Sequence, residues 1–138
     1  MMNDNHKLAY THYSRGGYYA KQGLYNLAIE SYTLVIKLIP HSTTVYNFRG
    51  NAYYEKGDYD LAIADYTQAI ILNPFEFEAY YNRGNVYSTQ GLYDQARKDY
   101  EKVVEYNPDF SSKAENGLKF IDEQLNKPIK EKSKGEDQ

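Results

Sequence analysis

The sequence predicts an all-α solenoid of three helical hairpins followed by one further helix. Shifting the chain by 34 residues superposes two glycines and a proline three times: Gly16/Gly50/Gly84, Gly23/Gly57/Gly91 and Pro40/Pro74/Pro108. Other columns recur at the same period, namely Tyr19/Tyr53/Tyr87, Tyr25/Tyr59/Tyr93, Ala28/Ala62/Ala96 and Tyr32/Tyr66/Tyr100. Within each unit the apolar residues follow steps of three and four, which is a helical spacing. A fixed period of this length is typical of a stacked repeat array.

Each repeat is expected to form two antiparallel helices, at residues 9–42, 43–76 and 77–110. Residues 1–8 are expected to form an N-terminal tail, with the first helix running from about Leu8 to Gln22. Three glycines can adopt the left-handed conformation that closes a first helix: Gly23, Gly57 and Gly91. Three polar residues are placed to cap the second helices: Asn26, Asp60 and Asp94. The prolines end each second helix because they lack a backbone N–H group.

The middle repeat shows how the two helices of a hairpin should pack. The first helix is expected to bury Tyr46, Gly50 and Tyr53, and the second Ala62, Tyr66, Ala69 and Ile70. A glycine inside a helix costs about 1 kcal/mol relative to alanine. Its recurrence in all three repeats therefore predicts a close approach of the two helices.

Two arginines are predicted to form structural ion pairs across their hairpins. Folding each hairpin brings Arg49 near Asp65 and Arg83 near Asp99, whereas the first repeat has Arg15 but Ser31 and should lack the pair. If exposed, such pairs contribute about 0–1 kcal/mol each.

The pattern changes after Pro108. Residues 111–125 are predicted to form an amphipathic capping helix, because the last repeat of a solenoid otherwise exposes its packing face. Gly117 lies inside this helix and weakens the prediction that it is continuous. Residues 126–138 are polar and highly charged, and they are expected to form a disordered tail.

Composition excludes several classes of site. The chain has no cysteine, so it can form neither a disulfide nor a cysteine-ligated metal site. Its formal charge is −3 and its lysines are scattered, which argues against a nucleic acid partner. The opening residues lack the apolar run of a signal peptide, and no segment is apolar enough to span a membrane. We therefore expect a soluble, cytoplasmic protein.

No constellation of residues indicates an enzyme, a cofactor or a metal. His6, His12 and His41 cannot meet on one helix face, and Asp58 and Asp60 belong to a turn and a helix start. No glycine-rich phosphate loop is present, since the glycine pairs belong to the repeat.

These repeats resemble the tetratricopeptide repeat family over residues 9–110, without insertion or deletion. Two columns depart from the family pattern. His12, Tyr46 and Tyr80 replace its favoured Trp, and Arg15, Arg49 and Arg83 replace its usual Leu. The resemblance implies a right-handed superhelix in which the first helices line a concave groove. It also implies a protein-binding adaptor or scaffold, not a catalyst.

A second stripe on each first helix is the candidate groove. The residues proposed to contact a peptide are Tyr10, Tyr13, Gly17, Ala20, Asn47, Asn51, Tyr54, Glu78, Tyr81 and Asn85. Asparagines can donate and accept at once, and tyrosines offer wide contact at low entropic cost. Because Glu55 and Glu78 flank this path and Lys21 is its only cation, a neutral or basic segment is expected. The alternative is a structural protein that self-associates through its terminal helix faces.

One family specificity is tested by five positions. Co-chaperones that hold the acidic C-terminal tail of heat-shock chaperones use a clamp of Lys, Asn, Asn, Lys and Arg. The matching positions here are Tyr13, Gly17, Phe48, Glu78 and Asn82. The absence of all three cations predicts that this protein does not bind such tails.

Overall fold

The computed structural model describes residues 3–127, and within that range every regular element is a helix. In chain order the helices are α1 (Asp4–Lys21), α2 (Tyr25–Leu38), α3 (Thr43–Lys56), α4 (Tyr59–Leu72), α5 (Phe77–Thr89), α6 (Tyr93–Tyr106) and α7 (Ser111–Leu125), with a short 3₁₀ turn at Pro108–Phe110. Helices α1/α2, α3/α4 and α5/α6 pair as hairpins, and each hairpin contacts the next. The predicted all-α solenoid is confirmed. None of the helices in this range is long and apolar enough to cross a membrane.

The N-terminal helix begins earlier than expected. α1 starts at Asp4, so most of the predicted tail at residues 1–8 is helical. The cause is a cap that the sequence reading overlooked: the Asn3 side-chain oxygen accepts a hydrogen bond from the backbone N–H of His6 at 2.9 Å. The predicted disordered tail at 126–138 lies outside the described residues, except for Asn126 and Lys127.

The turn inside each hairpin is made by backbone, not by a side-chain cap. Gly57 has φ of +85°, and the predicted left-handed glycines are confirmed in all three repeats. After Gly57, the Asp58 N–H donates to the Tyr53 carbonyl at 2.9 Å. This turn starts α4 at Tyr59, so the predicted caps are wrong: Asn26, Asp60 and Asp94 lie in the first turns of their helices. The backbone hydrogen bonds of the left-handed turn determine the path of the chain into the second helix, and no side-chain cap takes part.

The mid-helix glycines lie against tyrosine rings, as the repeat predicted. A Cβ atom on Gly50 would lie 2.7 Å from Cε1 of Tyr66, and one on Gly16 would lie 2.6 Å from Cε1 of Tyr32. Gly84 is in the same position against Tyr100. Real Cβ atoms do not approach other atoms this closely, so the contact requires glycine and explains its cost in helix propensity.

The predicted ion pairs are present, and they are buried. Arg49 donates from Nε and Nη2 to the two carboxylate oxygens of Asp65, both at 2.7 Å, and Arg83 binds Asp99 in the same way at 2.8 Å. The carboxylate side chains are only 6% and 5% exposed. The hydrogen bonds to Asp65 raise the pKa of the Arg49 guanidinium. Each pair is therefore a bidentate bridge with a buried carboxylate, and the contribution of about 0–1 kcal/mol expected of an exposed pair does not apply to it.

The arginine bridges also join neighbouring repeats. Arg49 Nη1 donates to the Thr33 hydroxyl on α2 at 3.2 Å, and Arg83 Nη1 donates to the Thr67 hydroxyl on α4 at 3.1 Å. Each arginine thus connects its own hairpin to the preceding one.

The capping helix closes the C-terminal end of the array. α7 buries Ala114 and Ile121 completely, whereas Leu125 stays about half exposed. The helix is continuous through Gly117, where a Cβ atom would lie 2.7 Å from Cε2 of Tyr100. Gly117 therefore does not interrupt α7, and its missing side chain lets the helix approach the last hairpin.

Replacing Asp65 with alanine should cost about 3–5 kcal/mol of unfolding free energy, because the Arg49 side chain, which is only 17% exposed, is left without its carboxylate. Denaturant titration of Asp65→Ala measures this loss. The matched control is Asp60→Ala, which removes an exposed carboxylate from the first turn of the same helix and should cost about 1 kcal/mol or less. Similar losses in the two variants would contradict the structural role of the bridge.

Deleting residues 111–138 should strongly destabilise the protein, because Tyr100 and Val103 lose the apolar face of α7. Deleting only 126–138 keeps that face and should change the melting temperature little. Thermal unfolding followed by circular dichroism compares the two truncations. Equal stability would show that α7 does not cap the core.

Candidate peptide-binding groove

Helices α1, α3 and α5 lie side by side, and we call the surface they form the first-helix face. Two bonds tie α3 to α5 across it. Asn82 Nδ2 donates to Asn47 Oδ1 at 3.1 Å, and the Tyr54 hydroxyl lies 3.3 Å from the Thr89 hydroxyl. Asn47 is only 4% exposed, so its assignment to the ligand surface is wrong. The neighbouring helix α5 covers this side chain, and the hydrogen bond from Asn82 uses it to join the second and third repeats.

A depression on this face lies between the first and second hairpins. This first-repeat cleft encloses about 570 Å³ and is lined by Tyr13, Ser14, Gly17, Ala20, Lys21, Tyr25, Tyr32, Phe48, Asn51, Ala52 and Glu55. Four of the residues proposed from sequence therefore share one cleft: Tyr13, Gly17, Ala20 and Asn51. The Tyr13 and Phe48 rings pack against each other, with centroids 5.9 Å apart.

A second depression, the asparagine cleft, continues the first toward the third repeat. It encloses about 290 Å³ and is lined by Asn51, Tyr54, Glu55, Tyr66, Asn82 and Asn85. Asn51 and Glu55 line both depressions, so the two adjoin. The proposed residues Asn51, Tyr54 and Asn85 are thus brought together here.

A third depression, the N-terminal cleft, lies on the other side of Tyr13. It encloses about 330 Å³ and is lined by His6, Ala9, Tyr10, Tyr13, Val35, Ile39, Ser42, Thr44 and Val45. Tyr10, one of the proposed residues, belongs to this cleft and is 65% exposed. Tyr13 separates it from the first-repeat cleft and lines both.

Besides the buried Asn47, two of the proposed residues line none of these three clefts. Glu78 is exposed at the start of α5. Tyr81 packs against the Tyr100 and Phe110 rings, with centroids 6.0 Å and 5.6 Å away. The structure therefore gives Tyr81 a packing role at the third repeat.

The groove asparagines are held by tyrosines from the second helices. The Tyr66 hydroxyl donates to Asn51 Oδ1, and the Tyr100 hydroxyl donates to Asn85 Oδ1, both at 2.5 Å. Each carbonyl oxygen thereby accepts one hydrogen bond, and neither Nδ2 group has a partner among residues 3–127. The two asparagines consequently offer donors to the clefts, and each oxygen keeps a second lone pair that can accept.

The tyrosine of the first repeat differs from the other two. Tyr32 is 3% exposed, yet its hydroxyl has no hydrogen-bond partner within residues 3–127, because Gly17 occupies the position of the asparagine. Burial raises the pKa of Tyr32 and raises that of Tyr100 to about 12. Both hydroxyls therefore stay protonated at neutral pH and can donate.

Sequence reasoning missed the second-helix residues of the site. Tyr25, Tyr32 and Tyr66 reach the clefts from behind the first helices. A signal existed, because Tyr32, Tyr66 and Tyr100 each follow positions 17, 51 and 85 by fifteen residues. Only the folded hairpin shows that this spacing joins the tyrosine hydroxyl to the groove position.

The described part of the chain holds no cluster of three or more His, Asp or Glu side chains suited to a metal ion. The chemistry that the face does offer is aromatic contact together with amide and phenol donors. Lys21 and Glu55 line the first-repeat cleft, and neither forms an ion pair in the described residues. This combination suits the binding of a polypeptide segment.

Comparison with known families supports the repeat assignment. Tetratricopeptide repeat models match residues 9–42 and 77–110, and a TPR repeat model matches residues 50–91. The first TPR of Spaghetti (RPAP3), solved with the HSP90 peptide SRMEEVD, is 30% identical. The match covers 88% of this chain and 95% of that one, with a TM-score of 0.83.

The chain belongs to the tetratricopeptide repeat family.

Two human domains show the same likeness to this TPR protein. The first TPR domain of human RPAP3 is 31% identical, with 86% of this chain and 92% of that chain covered and a TM-score of 0.80. The second TPR domain of human RPAP3, in complex with the HSP70 peptide SGPTIEEVD, is 30% identical over 86% and 98% of the chains, also with a TM-score of 0.80. A comparison with curated proteins found no match.

These complexes correct one expectation. The five clamp positions predicted that acidic chaperone tails are excluded, but TPR domains about 30% identical to this one are bound to peptides of HSP90 and HSP70. The absence of the clamp cations is therefore not sufficient to exclude such tails. Five positions do not define a ligand class, because aromatic walls and amide donors elsewhere in a groove also contribute to peptide binding.

Removing one tyrosine hydroxyl should have a different effect in each repeat. Tyr66→Phe leaves Asn51 Oδ1 without its donor and should cost about 0.5–1.5 kcal/mol. Tyr32→Phe removes a hydroxyl without a partner and should leave the unfolding free energy within about 0.5 kcal/mol. Urea titration measures both. A loss for Tyr32→Phe as large as for Tyr66→Phe would mean that the Tyr32 hydroxyl is already satisfied.

Proposed function

We propose that this TPR protein is a non-enzymatic interaction module that holds a peptide segment of a partner protein along its first-helix face. The supporting observation is the continuity of the three clefts. Tyr13 joins the N-terminal cleft to the first-repeat cleft, and Asn51 joins the latter to the asparagine cleft. An extended segment therefore has a path of apolar walls with polar groups at intervals.

The polar groups on this path match a peptide backbone. Asn51 and Asn85 present Nδ2 donors, and each amide is oriented by a tyrosine that donates to its carbonyl oxygen. A peptide in extended conformation exposes carbonyl oxygens that can accept from them. Because each amide is fixed by a tyrosine that is itself buried, little side-chain entropy is lost on binding.

The charges favour a neutral or basic segment. Glu55 lines two of the clefts and Glu78 lies exposed on α5, whereas Lys21 is the only cation that lines the three clefts. Like charges across an interface are unfavourable. The peptides bound by the RPAP3 domains are acidic. The affinity of this protein for an acidic peptide should therefore be measured beside its affinity for neutral and basic ones.

Related TPR domains give independent support for a peptide ligand. The Spaghetti and human RPAP3 domains, at about 30% identity, are bound to short chaperone peptides. For this chain a three-repeat surface is small, and an affinity in the micromolar range, about −8 kcal/mol, is expected.

Asn51→Ala and Asn85→Ala should each weaken peptide binding by about 1–3 kcal/mol, because a carbonyl of the bound peptide loses its donor. Gly17→Leu should also weaken binding, since it fills the first-repeat cleft. Titration calorimetry measures these affinities with a peptide from a partner that wild-type protein captures and the Asn51→Ala/Asn85→Ala variant does not.

Two controls make the experiment specific. Asn26→Ala removes an exposed asparagine on α2, outside all three clefts, and should bind as wild type does. Melting temperatures of every variant exclude unfolding as the cause of a loss. If both groove asparagine variants and Gly17→Leu bind with wild-type affinity, the first-helix face is not the binding site.

A further inference from the structure

At one position of the first-helix face, the first repeat has glycine where the other two have asparagine. Asn51 and Asn85 each accept a hydrogen bond from the tyrosine fifteen residues later, whereas Gly17 brings no side chain to Tyr32. The first repeat therefore has the phenol donor of this pair without its carboxamide acceptor.

The space for the acceptor is open. A Cβ atom on Gly17 would have only the Tyr32 hydroxyl near it, at 3.9 Å, which is an ordinary contact distance. The adjacent Gly16 is different, since its Cβ would lie 2.6 Å from the Tyr32 ring. Packing thus explains Gly16 but not Gly17, whose absent side chain leaves room above the hydroxyl.

The environment of this hydroxyl favours a neutral partner. Tyr13, Tyr25 and Phe48 supply aromatic walls, so a group that reaches Tyr32 gives up most of its water. The cleft also contains one cation, Lys21, and one anion, Glu55, and so has no net formal charge. A carboxylate would lose its water here with no net positive charge to offset the loss, whereas a neutral carboxamide can accept from Tyr32 at a smaller desolvation cost.

We propose that the bound peptide inserts a glutamine or asparagine side chain into the first-repeat cleft, where its carboxamide oxygen accepts a hydrogen bond from the Tyr32 hydroxyl. The ligand thereby supplies the group that Asn51 and Asn85 supply within the other two repeats. This inference rests on the proposed peptide-binding function and names the side chain that the first repeat selects.

The geometry can be tested without a ligand. Gly17→Asn places a carboxamide on α1 in the position of Asn51, and it should raise the melting temperature by a few degrees. Part of that gain comes from the higher helix propensity of asparagine. Making Gly17→Asn in the Tyr32→Phe background measures this part, because the hydroxyl is absent there. A larger gain with Tyr32 present shows coupling between the two side chains. Equal gains in both backgrounds would show that position 17 does not reach the hydroxyl and would overturn the proposal.

Ligand selectivity is tested with a random twelve-residue peptide library displayed on phage and selected on the wild-type protein. The selected peptides should share a glutamine or asparagine. Tyr32→Phe should weaken them about threefold to tenfold, the value of one neutral hydrogen bond. Gly17→Asn should weaken them at least as much, because its own carboxamide occupies the hydroxyl and the space.

Matched variants separate this bond from general effects. Tyr18→Phe removes an exposed hydroxyl on the same helix, outside the clefts, and should leave affinity unchanged. Gly17→Ala adds one methyl group and no acceptor, and should bind within about twofold of wild type. Replacing the shared glutamine of a selected peptide with glutamate or leucine should each reduce affinity.

The outcomes distinguish the two proposals. Selected peptides that are lost with Asn51→Ala/Asn85→Ala but are indifferent to Tyr32→Phe and Gly17→Asn would overturn the carboxamide assignment and leave the groove in place. Selection of glutamate or aspartate at the Tyr32-dependent position would also overturn it. If no peptide binds, both the proposed function and this inference fail.

Discussion

The contact between a mid-helix glycine and a tyrosine ring is the constraint on which each hairpin depends. A Cβ atom at Gly16 or Gly50 would lie within 2.8 Å of the facing ring, so the two helices can approach only where the first has no side chain. This contact also determines where the tyrosine hydroxyl lies. The ring crosses the glycine and ends beside the next residue of the first helix, so core packing brings a phenol to the ligand face.

The end of the array uses the same device a second time. The Tyr100 ring lies between Gly84 on α5 and Gly117 on α7, and an added Cβ would meet it at 3.0 Å and 2.7 Å respectively. The capping helix therefore packs on the last hairpin through the same glycine–tyrosine contact that joins the two helices of a hairpin. One tyrosine thus serves the core, the cap and, through its bond to Asn85, the groove.

The arginine bridges act between repeats, and they begin only at the second. Arg49 and Arg83 each bind a buried aspartate and a threonine of the preceding hairpin, and each lies over two tyrosine rings at 5.6–5.8 Å. The first repeat has Ser31 in the aspartate position. It contacts the second repeat through the bond from Arg49 to Thr33 and through aromatic packing, in which Tyr13 and Tyr32 lie against Phe48. The first-repeat cleft lies at this junction.

The architecture can be predicted from the sequence, because a 34-residue period with glycine at close contacts and proline at helix ends permits few other folds. The Arg49–Asp65 and Arg83–Asp99 pairs can also be predicted from the sequence, since the two arginines share one position of the repeat and the two aspartates share another. Tertiary structure decided what each groove residue does. Asn47 is covered by the next helix, Tyr81 packs against Phe110, and Asn51 has its oxygen bound by Tyr66. Residues on one helix stripe share a direction, but the neighbouring helices determine which of them stay open to a ligand.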